Sequence, residues 1–355
     1  MNISLPKLSI NLLYCAGLIS EKTNKNISGI SIQSTYNREY ISNILKNNTN
    51  IKEDLYGIAY NYALKESKND WIQLFDSSII NKPYSKDIQG CSNTYDPKNG
   101  TYGNALTTLV SCISNGYITL PVDHKMCFSK KNIDLDYKPK NELARIIAIE
   151  AKKKLDFIKS IVGDAHFYSK ESIVFYNNNN INFDFRIHSN RRIILENGKE
   201  TSIKEHFTNK FKGSKIRKNR SVVCYIKGIK TFKVCIMRIF RSKKDYLEPI
   251  YIISNYSFND ISPHIKAIKI RWRIEECFRT CKQSLGISKN QSRSINTQTN
   301  HIYSVLLNYS LLEIQRKKKK LKNPEALIKR LKYKNINYIL NELCSIYRNF
   351  DIKLI

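Results

Sequence analysis

The sequence predicts an α/β fold: a mixed core, interrupted by a β-rich segment and completed by helices. Three observations predict it. Short apolar runs ending at acids or turns alternate with an amphipathic helix over roughly the first half of the chain. Residues 183–255 then change to β-branched, aromatic and partly alternating stretches. Long stretches with helical periodicity return after that.

Residues 1–60 are polar, Asn-rich and weakly periodic, which predicts a few short helices. "DWIQLFDSSIINKPYS" (70–85) is an apolar run ending at Asp76 and reads as a buried strand. "NALTTLVSCISNGYITLPVD" (104–123) reads as strand, turn at Asn115 and Gly116, strand. Residues 140–169 begin as an amphipathic helix, pass into a short strand over 157–162, and stop at Gly163 and Asp164. "FDFRIHS", "SVVCYIKG", "TFKVCIMRIF" and "PIYIIS" read as strands, with a basic loop "NKFKGSKIRKNR" (209–220) between them. Helices are expected over 263–285, 298–320 and 324–346. The divisions drawn from this are an N-terminal region 1–65 (a candidate end-binding segment), a core 66–182, a β-rich insertion 183–258, and core helices 259–355.

Composition limits the function. The 355 residues include 60 Lys+Arg against 30 Asp+Glu, a formal net charge of +30. Such an excess calls for a polyanionic partner, and nucleic acid leads because each phosphate contact releases a counterion. AT-rich coding would explain Lys over Arg, but not a two-to-one basic excess. Nine scattered cysteines without CxxC spacing read as reduced thiols, not a disulfide framework or zinc site. The opening "MNISLPKLSINLLYCAG" is too short and broken for a signal segment, and no run reaches transmembrane length. The expected location is the cytoplasm, with no membrane contact.

The stretch "IKIRWRIEECFRTCKQSL" (268–285) carries the most chemistry. On a helix, Ile274, Cys277, Phe278, Cys281 and Leu285 form a buried stripe. Arg271, Glu275 and Lys282 form a neighbouring stripe, so Glu275 falls at the rim of the buried face while Glu276 points away. An ordinary ion-paired amphipathic helix would look the same. Asp76 and Asp164, each at an expected strand end, add to the picture. Three carboxylates could hold two divalent ions, which would generate a nucleophile and stabilise a leaving oxygen at a phosphodiester.

These residues resemble a known family, the bacterial DDE transposases of the insertion-sequence-four type. Its Tyr-Arg-Glu-Lys signature matches here at Arg271, Glu275 and Lys282, followed by "LGI" and "QSRS". "LFDSSIINKPYS", "VGDAHFYSKE", "FRIHSNRR" and "EPIYIISN" resemble further family blocks in the same order. One position departs: Ile268 stands where the family has the Tyr that contributes to contacts with the DNA end.

The resemblance implies an RNase H-like mixed-sheet core with a β-rich insertion between the second Asp and the Glu. It implies catalysis and metal binding by Asp76, Asp164 and Glu275, using two Mg²⁺ ions with Mn²⁺ as a substitute. Expected partners are double-stranded DNA, the terminal inverted repeats, target DNA, and a second copy in a synaptic homodimer. Expected DNA contacts are Asn190, Arg191, Arg192, Lys210, Lys212, Lys215, Arg217, Lys218, Arg220, Arg271, Trp272 and Lys282. Trp272 could stack on an extruded base or pack against protein. The alternatives are an RNase H-like endonuclease or resolvase without transposition, and a catalytically silent DNA-binding remnant.

Overall fold

The computed structural model describes residues 7–20, 25–47, 50–66, 70–85, 87–96, 99–132, 135–210, 219–240 and 249–349. In chain order, four helices come first: α1 (Lys7–Ile19), α2 (Ile27–Ile32), α3 (Arg38–Asn47) and α4 (Ile51–Lys65). Four strands follow: β1 (Ile72–Asn81), β2 (Ser92–Asp96), β3 (Thr101–Ser114) and β4 (Thr119–Cys127). Next come α5 (Lys140–Lys154), β5 (Ile161–Gly163), α6 (Lys170–Asn178), β6 (Phe183–Ile187), β7 (Arg192–Ile194) and β8 (Glu200–Ser202). After α7 (Ile203–Lys210) lie β9 (Arg220–Ile226), β10 (Val234–Ile239) and β11 (Ile250–Ser254). The chain closes with α8 (Ser262–Gln283), α9 (Ile295–Lys318), α10 (Pro324–Leu331) and α11 (Ile336–Arg348). The result is a mixed α/β fold with a mixed sheet.

The chain forms two compact units. The first comprises Met1–Asn69, Asp76–Pro139 and Arg273–Ile355, the second Asp70–Phe75 and Lys140–Trp272. Strand β1 and helix α8 each pass from one unit into the other along the backbone.

In the first unit, β3 pairs antiparallel with β2 through Thr101–Ala105 and with β4 through Thr107–Ser114. The β3–β4 hairpin turns at Gly116, whose φ of +89° is a conformation glycine adopts without strain. The Asn115 Oδ1 accepts from the amides of Tyr117 and Ile118 at 3.0 and 3.1 Å, fixing the turn. The centre of this unit is α9, buried around its whole circumference from His301 to Gln315. α1, α3, α4, α10, α11 and β4 pack on it.

Burying α9 on all sides forces its polar groups to find internal partners. Tyr14 donates to His301 Nδ1 at 2.8 Å, and His301 Nε2–H donates to the Gly286 and Ile287 carbonyls. Tyr303 donates to Asp123 at 2.6 Å, and Lys52 pairs with the same carboxylate at 3.1 Å. His124 accepts from Thr108 and donates to the Thr299 carbonyl. Burial lowers the pKa of His124 and of His301 to about 3, so both rings are neutral.

In the second unit, β1, β5 and β6 run parallel. The crossover from β5 to β6 is α6, because parallel neighbours cannot be joined by a tight turn. β6, β11, β10 and β9 continue antiparallel, and β7 joins β9 to β8. The composition boundary at residue 183 falls at the start of β6, and β6 is hydrogen-bonded to β5.

Asp184 on β6 is fully buried. Its Oδ1 accepts from His264 Nδ1–H at 2.6 Å, and its Oδ2 accepts from the Tyr256 hydroxyl at 2.6 Å. The other ring nitrogen of His264 faces the Ser257 carbonyl at 3.3 Å. Two acceptors on two nitrogens require a doubly protonated ring. Burial opposes that charge, but the hydrogen bond and charge of Asp184 prevail and raise the pKa of His264. This ion pair holds the first turn of α8 to the sheet.

Several elements differ from the sequence reading. β1 continues to Asn81, so Asp76 lies within the strand instead of at its end. β5 is reduced to Ile161–Gly163, because residues before it form a turn on Leu155, with the Ile158 amide donating to its carbonyl. The single helix expected over 324–346 is two helices, since Asn335 caps α11 by accepting from the Tyr338 amide at 2.7 Å. The N-terminal residues form four helices, and α1 is buried from Asn11 to Ile19.

The histidines fix a two-sided pH dependence. His124 and His301 have depressed folded pKa values, so their contribution is complete above the unfolded value near 6.5. It is lost as pH falls towards about 3. His264 has a raised pKa, so its contribution is complete below about 6.5 and lost as pH rises through the folded value. Urea midpoints across this pH range should show acid-side loss that His301→Asn flattens. Asp184→Asn should leave the acid limb intact and remove the loss due to His264.

Candidate active site

Asp76 is half-buried on β1, and its Oδ1 accepts from the Ser77 amide at 2.8 Å. Asp164 follows β5, also half-buried. Its Oδ1 accepts from the His166 amide at 2.9 Å, and its carbonyl accepts from the Phe167 amide at 3.2 Å. This local turn directs the chain from β5 into α6. Gly163 is required before it: a Cβ there would lie 2.9 Å from the Phe167 ring, which packs on Phe75 with centroids 5.9 Å apart. In the parallel β1–β5 pair Leu74 faces Val162. Asp76 and Asp164 each stand two residues beyond that pair in sequence.

Glu275 is half-buried on α8. The stripe beside it, Ile274, Cys277, Phe278, Cys281 and Leu285, is buried as its spacing predicts. Arg271 is half-buried, Lys282 is exposed and Trp272 is 57% exposed. Ile268 is buried and presents no polar group.

Glu276 departs from the expected solvent-facing role. Arg273 donates to it at 2.6 Å and to the Tyr117 carbonyl at 3.0 Å. Arg316 donates to that same carbonyl at 2.9 Å and to both oxygens of buried Glu313, at 2.7 and 2.9 Å. Burial raises the pKa of Glu313, and the two arginines oppose the rise. Glu276 is thus part of an ionic cluster tying α8, α9 and the β3–β4 turn together. The two adjacent glutamates have separate surroundings.

Two motifs singled out in the sequence meet in the first unit. Lys82, from "NKPYS", is buried and donates to the carbonyls of Ser288 and Asn290 at 3.0 and 2.5 Å. Burial lowers its pKa to about 8. The Gln89 amide donates to the Arg293 carbonyl, and Gln89 Oε1 accepts from the Ile295 amide. The end of β1 is thereby fastened to the segment after α8. Gly286 of "LGI" has φ +68°, the left-handed conformation that closes a helix, and the Ile287 amide returns to the Cys281 carbonyl.

Of the expected DNA contacts, Asn190, Arg191 and Arg192 follow β6, and both arginines are exposed. Arg191 lies over the Tyr168 ring at 5.4 Å, and Arg192 pairs with Glu200. Arg220 is half-buried at the start of β9. Lys210 is described only as the last residue of α7, and Lys212, Lys215, Arg217 and Lys218 lie outside the described residues. Sequence reading missed Asp184, Tyr256 and His264. The one signal was an acid in the alternating strand "FDFRI", where a buried charge needs a partner.

Carboxylate oxygens are the donors a hard divalent ion takes, so the donor chemistry of Asp76, Asp164 and Glu275 fits Mg²⁺. Among the described residues no group of three or more His, Cys, Asp or Glu that could hold a metal ion is found. Asp76 and Glu275 belong to the first unit and Asp164 to the second. No helix among the described residues is long and apolar enough to cross a membrane.

The family described as Transposase DDE domain matches residues 131–311, more than half of the chain. The chain belongs to the DDE transposase family. The matched segment includes Asp164, Glu275 and all of α8, while Asp76 on β1 precedes it. No curated protein matches the chain.

The exposure of Trp272 decides between its two readings as far as stability goes. Trp272→Ala should shift the unfolding free energy by no more than about 0.5 kcal/mol, as for surface positions generally. Denaturant titration checks this, and a loss of about 2 kcal/mol or more would make Trp272 a packing residue.

Proposed function

We propose that the chain is a DNA transposase of the insertion-sequence-four type that cuts DNA ends and joins them to a target. The observation that carries the reading is membership of the DDE transposase family, combined with Arg271, Glu275 and Lys282 at the signature spacing on one helix. Asp76, Asp164 and Glu275 are the proposed catalytic and metal-binding carboxylates. Their support is the family block each stands in.

Mg²⁺, with Mn²⁺ as a substitute, supplies when bound an activated water or 3′-hydroxyl and charge stabilisation at the leaving oxygen. The chain's own residues do the rest. Arg271 and Lys282, one turn before and two turns after Glu275, hold phosphates over the reacting strand. Asn190, Arg191, Arg192, the 209–220 loop and Arg220 bind the DNA backbone without reading its sequence. Trp272 offers an exposed ring for a base pulled from the stack. Ile268 presents no hydroxyl, so contact with the DNA end falls to other groups than the family Tyr. Terminal inverted repeats and target DNA are the proposed substrates, with a homodimer in the synaptic complex and an insertion formed by the antiparallel strands before α8.

Glu275→Gln should abolish metal-dependent end cleavage, a loss of at least about 10³-fold, while duplex binding in a mobility-shift assay stays within about twofold of the parent. Glu276→Gln should retain cleavage and lower the unfolding midpoint instead, because it weakens the Arg273 cluster. The opposite pattern would overturn the assignment of Glu275. Joining of a cut end to a second duplex separates a transposase from a nuclease that only cuts.

A further inference from the structure

The strongest unassigned feature is the surface formed by the end of α9, by α10 and by the start of α11. Residues 316–334 carry ten Lys or Arg against one acid, Glu325. Some of these charges are already used. Arg316 pairs with Glu313, Lys317 with Glu66 at 2.7 Å and Lys319 with Glu342 at 3.4 Å. Glu325 accepts from Thr280 at 2.6 Å and lies 4.0 Å from Arg279. The remaining members Lys318, Lys320, Lys322, Lys329, Arg330 and Lys334 are exposed and make no ion pair among the described residues.

Helix electrostatics accounts for part of the run. Cations in the last turns of α9 and α10 are favoured by the helix dipoles. Lys320, Lys322 and Lys334 lie in the connections, where that account does not apply. Unneutralised like charges at close spacing repel and cost stability, so their accumulation calls for an external anion.

The scaffold beneath is packed and capped. Leu327, Ile328 and Leu331 are buried on α10, as are Ile336, Ile339 and Leu340 on α11. Asn323 and Asn335 cap the two helices. Between the cations stand two exposed rings: Tyr333 at 65%, with Lys332 over it at 4.4 Å, and Tyr338 at 46%, with Lys334 over it at 5.5 Å. Cations and exposed tyrosine side chains on a packed, capped frame are groups that contact phosphate oxygens along a nucleic-acid backbone.

We infer that this surface binds the phosphate backbone of duplex DNA, through residues distinct from those of the proposed catalytic site and the 209–220 loop. The inference rests on the reading that the chain acts on DNA. Contacts of this kind carry no sequence information and bind donor flank or target DNA alike.

The test is the full-length Lys320→Gln/Lys322→Gln/Lys334→Gln variant against a random-sequence duplex over a range of salt concentrations. All three side chains are exposed, so the melting temperature should be unchanged. The expected result is an affinity at least about tenfold lower and a log–log salt slope shallower by roughly 2–3, near 0.9 for each phosphate no longer neutralised. Unchanged affinity and slope would overturn the proposal. So would loss of binding to phosphatidylserine vesicles with DNA binding intact, which would make the partner a lipid surface. If the triple variant melts lower, single Lys322→Gln and Lys334→Gln variants replace it, each expected to reduce the slope by about 0.9; no reduction in either would overturn the proposal. If the parent protein fails to bind duplex DNA, the transposase reading fails, whereas equal binding by parent and variant removes this surface alone.

Discussion

A helix buried around its full circumference must find partners for most of the polar groups it carries, and α9 sets that demand for the first unit. His301 and Tyr303 meet it by reaching to Tyr14 and Asp123, far earlier in the chain. Asp123 in turn requires Lys52, and His124 beside it requires Thr108 and Thr299. α1, α4 and the β3–β4 hairpin are therefore held by specific polar contacts as well as by apolar packing. Removing one member would leave a buried donor or acceptor unsatisfied, which costs more than the bond itself contributes.

The same logic governs α8. Its two adjacent glutamates share a sequence neighbourhood but not an environment. Glu276 is drawn into the Arg273, Arg316 and Glu313 cluster, which uses the Tyr117 carbonyl as a common acceptor. Glu275 lies on the stripe of Arg271 and Lys282. At the other end of the helix, His264 and Asp184 form a fully buried ion pair with Tyr256 as a second donor. Such pairs add less stability than specificity of arrangement, because desolvation offsets much of their attraction. Here the consequence is orientation: the first turn of α8 is fixed to β6.

Charge separates into paired and unpaired populations by the same test of partnership. Arg273, Arg316, Lys52 and His264 meet carboxylates and hold elements together. Lys318, Lys322, Lys329 and Arg330 meet none among the described residues. A net charge of +30 alone could not tell one population from the other.

The sequence by itself determined what depends on local period and turn chemistry. The apolar stripe of α8, the Asn115 and Gly116 hairpin, the alternating strands β6, β9, β10 and β11, and the helix over 140–154 all follow from residues a few positions apart. Arg271, Glu275 and Lys282 were legible for that reason, as was the family to which the chain belongs. What only the tertiary structure decided depends on distant partners. β1 runs past Asp76 to Asn81, carrying less apolar residues than the run before it, because β3 lies beside it. Helices α1, α3 and α4 pack on α9, with α1 also on α11, and α2 packs on α1 and α3, so their burial does not rest on their own weak periodicity. The roles of Arg273, Asp184 and Lys82 rest on contacts across tens to hundreds of residues, which no window of sequence contains. Periodicity assigns a side chain to a face; the partner waiting at that face is a property of the folded chain.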